Sequence, residues 1–137
     1  MARKQLKSPS PGHCMVVEDD SLLAATIEAV LIDAGALSVS LCASTAQAMA
    51  QLQKQLPDVL VLDVHLADSD DGWALAELVA TIGPKRPRII FSTGSPDDIP
   101  QSIRKLGTVL AKPYAPEELA ALAMPAPQKG LLQRLRP

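Results

Sequence analysis

Five short apolar runs separated by helical patterns are the feature of this 137-residue chain that most restricts its fold. The run Val59–Leu62 is continuously apolar, as expected of a strand that is buried on both faces. Strands that alternate with helices predict a parallel sheet with helices on both faces and right-handed crossovers. The sequence therefore predicts a doubly wound α/β domain, whose strands lie in HCMVVE, LSVSLCA, DVLVLDV, PRIIFST and TVLA.

Hydrophobic spacing predicts the helices between these runs. The clearest helix extends from Ser21 to Ala34, because its apolar residues form one stripe and Gly35 follows as a C-terminal stop. A second helix begins at a capping box of Ser44 and Gln47 and ends before Pro57. The apolar stripe of the first helix consists of Leu23, Ile27, Val30, Leu31 and Ala34. The second helix is predicted to bury Ala48, Met49, Leu52 and Leu56.

Three further helices are predicted with less regular boundaries. One covers about residues 72–82, and a short one covers 100–106, because Pro96 and Pro100 cannot both lie inside one helix. The last begins with Pro116 at its first position and ends near Pro125.

The charge distribution favours one acidic domain, residues 13–124, between two basic tails. The domain carries seven Lys and Arg against all fifteen Asp and Glu, a net charge of −8. Tails 1–12 and 125–137 are basic and interrupted by Pro, and we expect them to be disordered. An acidic domain argues against direct binding of nucleic acid, which requires a basic face.

The chain also lacks the signals of membrane insertion and of an oxidising compartment. No apolar run approaches the ~20 residues that span a bilayer, and no hydrophobic segment follows the basic start as in a signal peptide. Cys14 and Cys42 lie in apolar runs without CxxC spacing, and we interpret them as buried free thiols. We therefore expect a cytoplasmic protein without membrane association.

Polar residues stand where several predicted strands end. Glu18 and Asp19 follow the first strand and Asp63 the third, while Thr93 ends the fourth and Lys112 follows the fifth. The carboxyl ends of parallel strands share one edge of a sheet, where ligands bind in doubly wound folds. Clustered carboxylates repel each other unless a cation joins them, and an all-oxygen set suits Mg²⁺. A hydroxyl and a lysine beside such a site favour phosphoryl chemistry.

The chain resembles the receiver domain of two-component response regulators, because it contains that family's motifs in the family's order: VVEDD, VLVLDV, FSTG and AKPY. The resemblance covers about Cys14 to Met124. It implies a flavodoxin-like (βα)5 fold with strand order 2-1-3-4-5. It also implies phosphorylation of an aspartate by a histidine kinase or a histidine phosphotransfer protein.

The resemblance assigns roles residue by residue. It makes Asp63 the phosphoacceptor, and it makes Glu18 and Asp19 the acidic pair for Mg²⁺, with Asp19 as the direct ligand. His65 would offer its backbone carbonyl to the metal. Thr93 matches the hydroxyl that binds a phosphoryl oxygen, and Lys112 and Pro113 match the lysine and proline that follow the last strand.

Simpler interpretations of the same residues remain beside these roles. Asp63 could cap a strand end, Lys112 could be a solvated lysine, and Thr93 could be one of the hydroxyls that favour turns. An acid before the first helix could be its N-terminal cap, and Asp20 is predicted to have that role. Without a second histidine nearby, the side chain of His65 is not expected to form a transition-metal site.

Three departures from the family concern the loop and the output side. The loop after Asp63 has no proline and places Gly72 nine residues on, so it is one residue longer, with Asp68, Asp70 and Asp71 expected to be solvated. Val109 occupies the position that is usually an aromatic switch. The segment between Thr93 and Lys112 is a few residues shorter than usual.

The leading hypothesis is a stand-alone receiver that accepts a phosphoryl group and signals by protein contact in a phosphorelay. It is a phosphoacceptor rather than a turnover enzyme, and a homodimer remains open. Since only residues 125–137 follow the last helix, output is expected on another chain. The alternatives are a receiver-like module that binds its partner independently of phosphorylation, and a Mg²⁺-dependent phosphohydrolase, although His65 stands where such enzymes carry a second aspartate.

Overall fold

The computed structural model describes residues 9–64, 72–82 and 86–125. Five parallel strands form one sheet in the order β2-β1-β3-β4-β5, which confirms the predicted topology. The strands are β1 (His13–Val17), β2 (Ser38–Cys42), β3 (Val59–Leu62), β4 (Arg88–Thr93) and β5 (Thr108–Ala111). The helices are α1 (Ser21–Asp33), α2 (Thr45–Lys54), α3 (Gly72–Ala80), α4 (Gln101–Arg104) and α5 (Pro116–Ala123).

Alternate residues of the strands face two separate core layers. On one face, Met15, Val17 and Leu62 pack with residues of α2, α3 and α4. On the other face, Val16 and Val61 pack with residues of α1 and α5. Because both faces are covered, every residue of β3 is buried, as the continuous apolar run predicted.

The first helix begins at Ser21 as predicted and ends one residue before the predicted end. Two residues of its apolar stripe are buried and three are half-buried: Ile27 and Leu31, and Leu23, Val30 and Ala34, respectively. The side chain of Asp20 caps it by accepting hydrogen bonds from the N–H groups of Leu22 and Leu23, at 3.0 and 3.1 Å. Gly35, just beyond the helix, has a φ of 98°, a left-handed conformation that glycine adopts without strain. The predicted roles of Asp20 as the cap and of Gly35 as the stop are therefore confirmed.

The second helix buries a narrower stripe than predicted. Ala48 and Leu52 are buried, but Met49 is 39% exposed and Leu56 is 44% exposed. The prediction that Met49 and Leu56 are buried is therefore wrong. Only half of the predicted capping box forms: Ser44 Oγ accepts a hydrogen bond from Gln47 N–H at 3.1 Å. The Gln47 side chain accepts from Ala43 N–H at 2.7 Å, and Ala43 is the residue before Ser44.

The fourth helix is shorter than predicted. Pro96–Asp98 forms a 3₁₀ helix, and α4 covers Gln101–Arg104 rather than 100–106. Pro100 lies outside the helix in an extended conformation, and the chain turns after Arg104 toward Gly107, which precedes β5. The two prolines divide this segment into two short turns.

Cys14 and Cys42 are both buried and free, as predicted. Across the described part of the chain, no helix combines the length and the apolar character needed to cross a bilayer.

Candidate functional site

Backbone hydrogen bonds extend the parallel ladder by one residue beyond the strands and so fix the site residues. Glu18 N–H donates to Cys42 O at 2.9 Å, and Asp63 N–H donates to Val17 O at 2.9 Å. Lys112 N–H donates to Thr93 O at 2.7 Å. Residues far apart in sequence are thereby brought to one edge of the sheet, at the carboxyl ends of the strands.

Three carboxylates cluster at this edge. Glu18, Asp19 and Asp63 each offer one oxygen, and these oxygens lie within 4.8 Å of one another. Glu18 and Asp63 are only 3% and 7% exposed, whereas Asp19 is exposed. A set of carboxylate oxygens that is buried on one side and open on the other fits a hard cation that keeps part of its water shell, such as Mg²⁺.

Lys112 provides the positive charge on the same edge. Its Nζ lies 3.0 Å from Glu18 Oε1 and 3.6 Å from Asp63 Oδ2. Its side chain is 25% exposed, so the ammonium is partly shielded from water. Lys112 therefore lies between two carboxylates and can also reach an anion attached to either of them.

The pKa shifts agree with this geometry. Burial raises the pKa of Glu18 and the charge of Asp63 adds to the rise, although hydrogen bonds from Asp20 N–H and Lys112 oppose it. Burial alone would lower the pKa of Lys112, but its hydrogen bond to Glu18 and the charges of Asp63 and Glu18 outweigh burial and raise that pKa. The ammonium is therefore charged at neutral pH. A cation among the carboxylates would also favour ionised Glu18.

Thr93 ends β4 and is fully buried. Its Oγ1 accepts a hydrogen bond from Ser95 N–H at 2.9 Å. A hydroxyl that accepts in this way still has its hydrogen to donate. Thr93 can therefore offer a donor to an anion at this edge of the sheet.

A pair of hydroxyls near Thr93 and Lys112, one buried and one half-buried, was not predicted from the sequence. Ser92 Oγ and Tyr114 OH lie 3.0 Å apart, within hydrogen-bond distance. Ser92 is 1% exposed and belongs to β4, whereas Tyr114 follows the Lys112-Pro113 pair. The sequence signal was weak, because the two residues are 22 positions apart and a serine in an apolar strand does not indicate its partner.

The segment that carries Lys112 also borders a cavity. This cavity of about 380 Å³ lies between the start of α1 and residues 112–114, with Leu22 and Thr26 on one wall and Pro113 on the other. His65 and the loop acids Asp68, Asp70 and Asp71 lie outside the described residues. The structure thus brings together Glu18, Asp19, Asp63 and Lys112, and Thr93 joins the same edge.

Comparisons with known proteins agree with this architecture. The family model described as the response regulator receiver domain matches residues 14–124. The chain therefore belongs to the response regulator receiver domain family.

Two curated relatives and one solved structure illustrate the similarity. The chain is 33% identical to the sensory transduction protein LytT of Enterococcus faecalis over 82 residues, 59% of this chain and 33% of LytT. It is 30% identical to the alginate biosynthesis transcriptional regulatory protein AlgB of Pseudomonas aeruginosa over 118 residues, 85% of this chain and 26% of AlgB. The receiver domain of the TMAO respiratory system response regulator TorR has a TM-score of 0.69 and 28% identity, covering 92% of this chain and 100% of that one.

These coverages define what the relatives have in common with this chain. The chain spans about a third of LytT and about a quarter of AlgB. The similarity therefore concerns a receiver domain that takes part in two-component signalling, and it does not extend to the remaining parts of those longer proteins.

Proposed function

We propose that Asp63 accepts a phosphoryl group in a Mg²⁺-dependent reaction and that the phosphorylated domain signals by protein contact. The donor is the phosphohistidine of a histidine kinase or a histidine phosphotransfer protein. A carboxylate oxygen of Asp63 forms a bond to phosphorus, the bond from phosphorus to the imidazole nitrogen breaks, and the imidazole leaves with that electron pair. The observation that carries the proposal is the placement of the Asp63 carboxylate among two other carboxylates and 3.6 Å from Lys112 Nζ.

The environments of the three carboxylates favour Asp63 as the nucleophile. Glu18 accepts hydrogen bonds from Lys112 Nζ at 3.0 Å and from Asp20 N–H at 3.1 Å, and these contacts hold it in place. Asp19 is exposed at the rim. Asp63 follows the central strand β3 and so lies between the carboxyl ends of β1 and β4. A nucleophile in that position can be reached by donors from both neighbouring strand ends.

The neighbouring residues support the reaction through charge and hydrogen bonding. Mg²⁺ held by Glu18, Asp19 and Asp63 would neutralise charge on the phosphoryl oxygens. The Lys112 ammonium is close enough to Asp63 Oδ2 to stabilise an anion attached there. The Thr93 hydroxyl has a hydrogen to donate to a phosphoryl oxygen. The predicted ligand role of the His65 carbonyl stays a prediction.

One feature favours a second candidate, a module whose binding is independent of phosphorylation. Val109, at the position where the family usually has an aromatic switch, is half-buried and packs against the core layer of α2, α3 and α4. A valine has no large ring whose exposure could change on phosphorylation. For this candidate, a partner would bind equally well to the wild type and to Asp63→Ala, with or without phosphodonor.

Labelling with a small phosphodonor tests the leading proposal. Radiolabelled acetyl phosphate with Mg²⁺ should label the wild type and Asp33→Asn, and it should not label Asp63→Asn. Asp33 is an exposed carboxylate in the last turn of α1, so its variant is a matched control for loss of one acid. Equal labelling of wild type and Asp63→Asn would contradict the assignment of Asp63.

Stabilisation by Mg²⁺ tests the metal site separately. A ligand that binds the folded state alone stabilises it by about 2.7 kcal/mol at a hundred times its Kd. Urea unfolding with and without Mg²⁺ should show such a gain for wild type and Asp33→Asn, and a smaller gain for Asp19→Asn. Equal gains for all three proteins would exclude Asp19 as a ligand.

A further inference from the structure

We infer that Tyr114, through its hydrogen bond with Ser92, is a positioning residue that holds the Lys112 ammonium against Asp63. This inference rests on the proposed function, because it concerns the reaction of Asp63. Ser92 and Tyr114 lie in the motifs FSTG and AKPY, but the family resemblance gave neither hydroxyl a role.

The environment of Ser92 is the first observation. Ser92 is 1% exposed and lies in β4 between Phe91, which is also buried, and Thr93. A hydroxyl buried in an apolar strand is costly unless it is hydrogen-bonded. Tyr114 OH, at 3.0 Å, provides the partner. The hydrogen bond with Tyr114 therefore connects β4 to the segment that follows Lys112, which a hydrophobic residue at position 92 would not do.

The second observation is that the Lys112 segment is attached to β4 at two consecutive residues. Lys112 N–H donates to Thr93 O at 2.7 Å, and Tyr114 OH pairs with the side chain of the preceding strand residue, Ser92. Pro113 lies between these two attachments. The backbone from which the Lys112 side chain starts is thereby fixed on both sides.

The third observation is the position of the Lys112 ammonium, which depends on this attachment. Lys112 Nζ must lie 3.0 Å from Glu18 Oε1 and 3.6 Å from Asp63 Oδ2 at the same time. A lysine side chain has high rotamer freedom, so its ammonium stays in one place only if its backbone and surroundings are fixed. A small displacement of a group that stabilises developing charge lowers the rate of reaction.

Electrostatics also connect Tyr114 with the site. Burial raises the pKa of Tyr114, while the hydrogen bond with Ser92 and the charge of Lys112 lower it, and the charges of Glu18 and Asp63 raise it. The net pKa is above its ordinary value, so the hydroxyl keeps its proton at neutral pH and can take part in the hydrogen bond. Tyr114 thus lies within electrostatic range of all three charged residues.

The main test compares Tyr114→Phe in two backgrounds. The substitution removes the hydroxyl and keeps the ring. In the wild-type background we expect the maximal rate of Asp63 phosphorylation by acetyl phosphate with Mg²⁺ to fall about three- to tenfold, the factor for losing one hydrogen bond. The half-saturating phosphodonor concentration should change less than twofold. In Lys112→Ala, the same substitution should have no further effect, because the hydroxyl acts through Lys112.

Loss of a hydroxyl at the opposite edge of the sheet is the matched control for this test. Ser38→Ala removes a hydroxyl that pairs with His13 Nδ1 at 2.8 Å at the opposite edge of the sheet, and its rate should equal that of wild type. A wild-type rate for Tyr114→Phe, or an equal fall in both backgrounds, would overturn the inference while leaving the proposed function intact. An unlabelled wild type would overturn both.

A spectroscopic test covers the case in which Tyr114→Phe does not fold. Tyr114 is the only tyrosine in the chain, so alkaline titration of tyrosine absorbance reports on this residue alone. Ser92→Ala should shift the titration to higher pH, because the hydrogen bond that lowers the pKa is lost. An unchanged titration would show that Ser92 and Tyr114 do not interact and would overturn the inference.

Discussion

The two edges of the sheet use charged side chains in opposite ways. At the amino-terminal edge, Asp58 Oδ2 accepts a hydrogen bond from His13 N–H at 2.8 Å, and Arg88 Nη2 donates to Ala123 O at 2.6 Å. Both side chains bind the backbone of another element. At the carboxyl-terminal edge, Lys112 instead contacts the side chains of Glu18 and Asp63.

This difference separates charges that stabilise the fold from the clustered charges of the proposed site. At the amino-terminal edge, the Asp58 carboxylate accepts from a backbone N–H of another strand and so stabilises the fold. At the carboxyl-terminal edge, Glu18, Asp19 and Asp63 lie close together and repel one another, and the one positive charge of Lys112 offsets only part of that repulsion. The charges at the amino-terminal edge therefore stabilise the domain, whereas the carboxylates at the carboxyl-terminal edge are the ones that a bound cation would stabilise.

The largest expected effect comes from removing the cation of the carboxyl-terminal edge. Lys112→Ala should lower the rate of Asp63 phosphorylation by about a hundredfold, the usual cost of losing one group that stabilises developing charge. Initial rates with acetyl phosphate and Mg²⁺ measure it. Lys105→Ala, an exposed lysine near the opposite edge, is the control and should keep the wild-type rate. A similar fall for both lysines would mean that general charge, and not position, governs the reaction.

Two glycines sharpen the same comparison through packing. A Cβ on Gly107, which precedes β5, would collide with the backbone carbonyl of Ile89, whereas a Cβ on Gly94, which follows β4, would meet nothing within 4 Å. Gly107→Ala should therefore lower the free energy of unfolding by about 1 to 3 kcal/mol, and Gly94→Ala by far less. Urea denaturation compares them. Equal losses would show that the carboxyl-terminal edge is as tightly packed as the other.

Removal of one negative charge from each edge should have opposite consequences. Asp58→Ala should destabilise the protein by about 1 kcal/mol or more, because the partly buried N–H of His13 loses its partner. Asp63→Asn removes one of the clustered charges, so its stability without Mg²⁺ should equal or exceed that of wild type. Urea unfolding in EDTA measures both. A loss for Asp63→Asn as large as that for Asp58→Ala would give the two carboxylates the same structural role.

The sequence predicted the parts of the fold that depend on local patterns. The continuously apolar strands and the capped first helix follow from residues that are near one another in the chain. The exposure of Met49 and Leu56 did not follow, because it depends on how much of α2 the sheet covers. For the same reason, α4 was predicted too long, since Pro100 marks its start but the turn that ends it depends on the path to β5.

The positions of the site residues could be predicted because each of these residues stands at the carboxyl end of a predicted strand. The convergence of Glu18, Asp19, Asp63 and Lys112 follows from the parallel order of the strands. The contact between Ser92 and Tyr114 requires the direction of two side chains, which a sequence pattern does not provide.

The smallest expected effect concerns a buried thiol near the amino-terminal edge. Burial raises the pKa of Cys14 from 9.0 to about 11, with smaller influences from Arg88 and Asp58. The folded state therefore keeps this proton after the unfolded chain has lost it. Stability should fall as the pH rises from 9.0 toward about 11, and this fall should be shallower in Cys14→Ala. Identical pH profiles of urea unfolding would show that Cys14 is not buried.

Identifying the aspartate that carries the phosphoryl group tests the assignment of Asp63 most directly. The protein is phosphorylated with acetyl phosphate and Mg²⁺ and then reduced with borohydride, which converts an aspartyl phosphate into homoserine. Peptide mass spectrometry should find homoserine at position 63 and an unchanged residue at Asp58 and Asp19. Homoserine at Asp19 or Asp58, with Asp63 unmodified, would contradict the assignment of the carboxyl-terminal edge and of Asp63 as the acceptor.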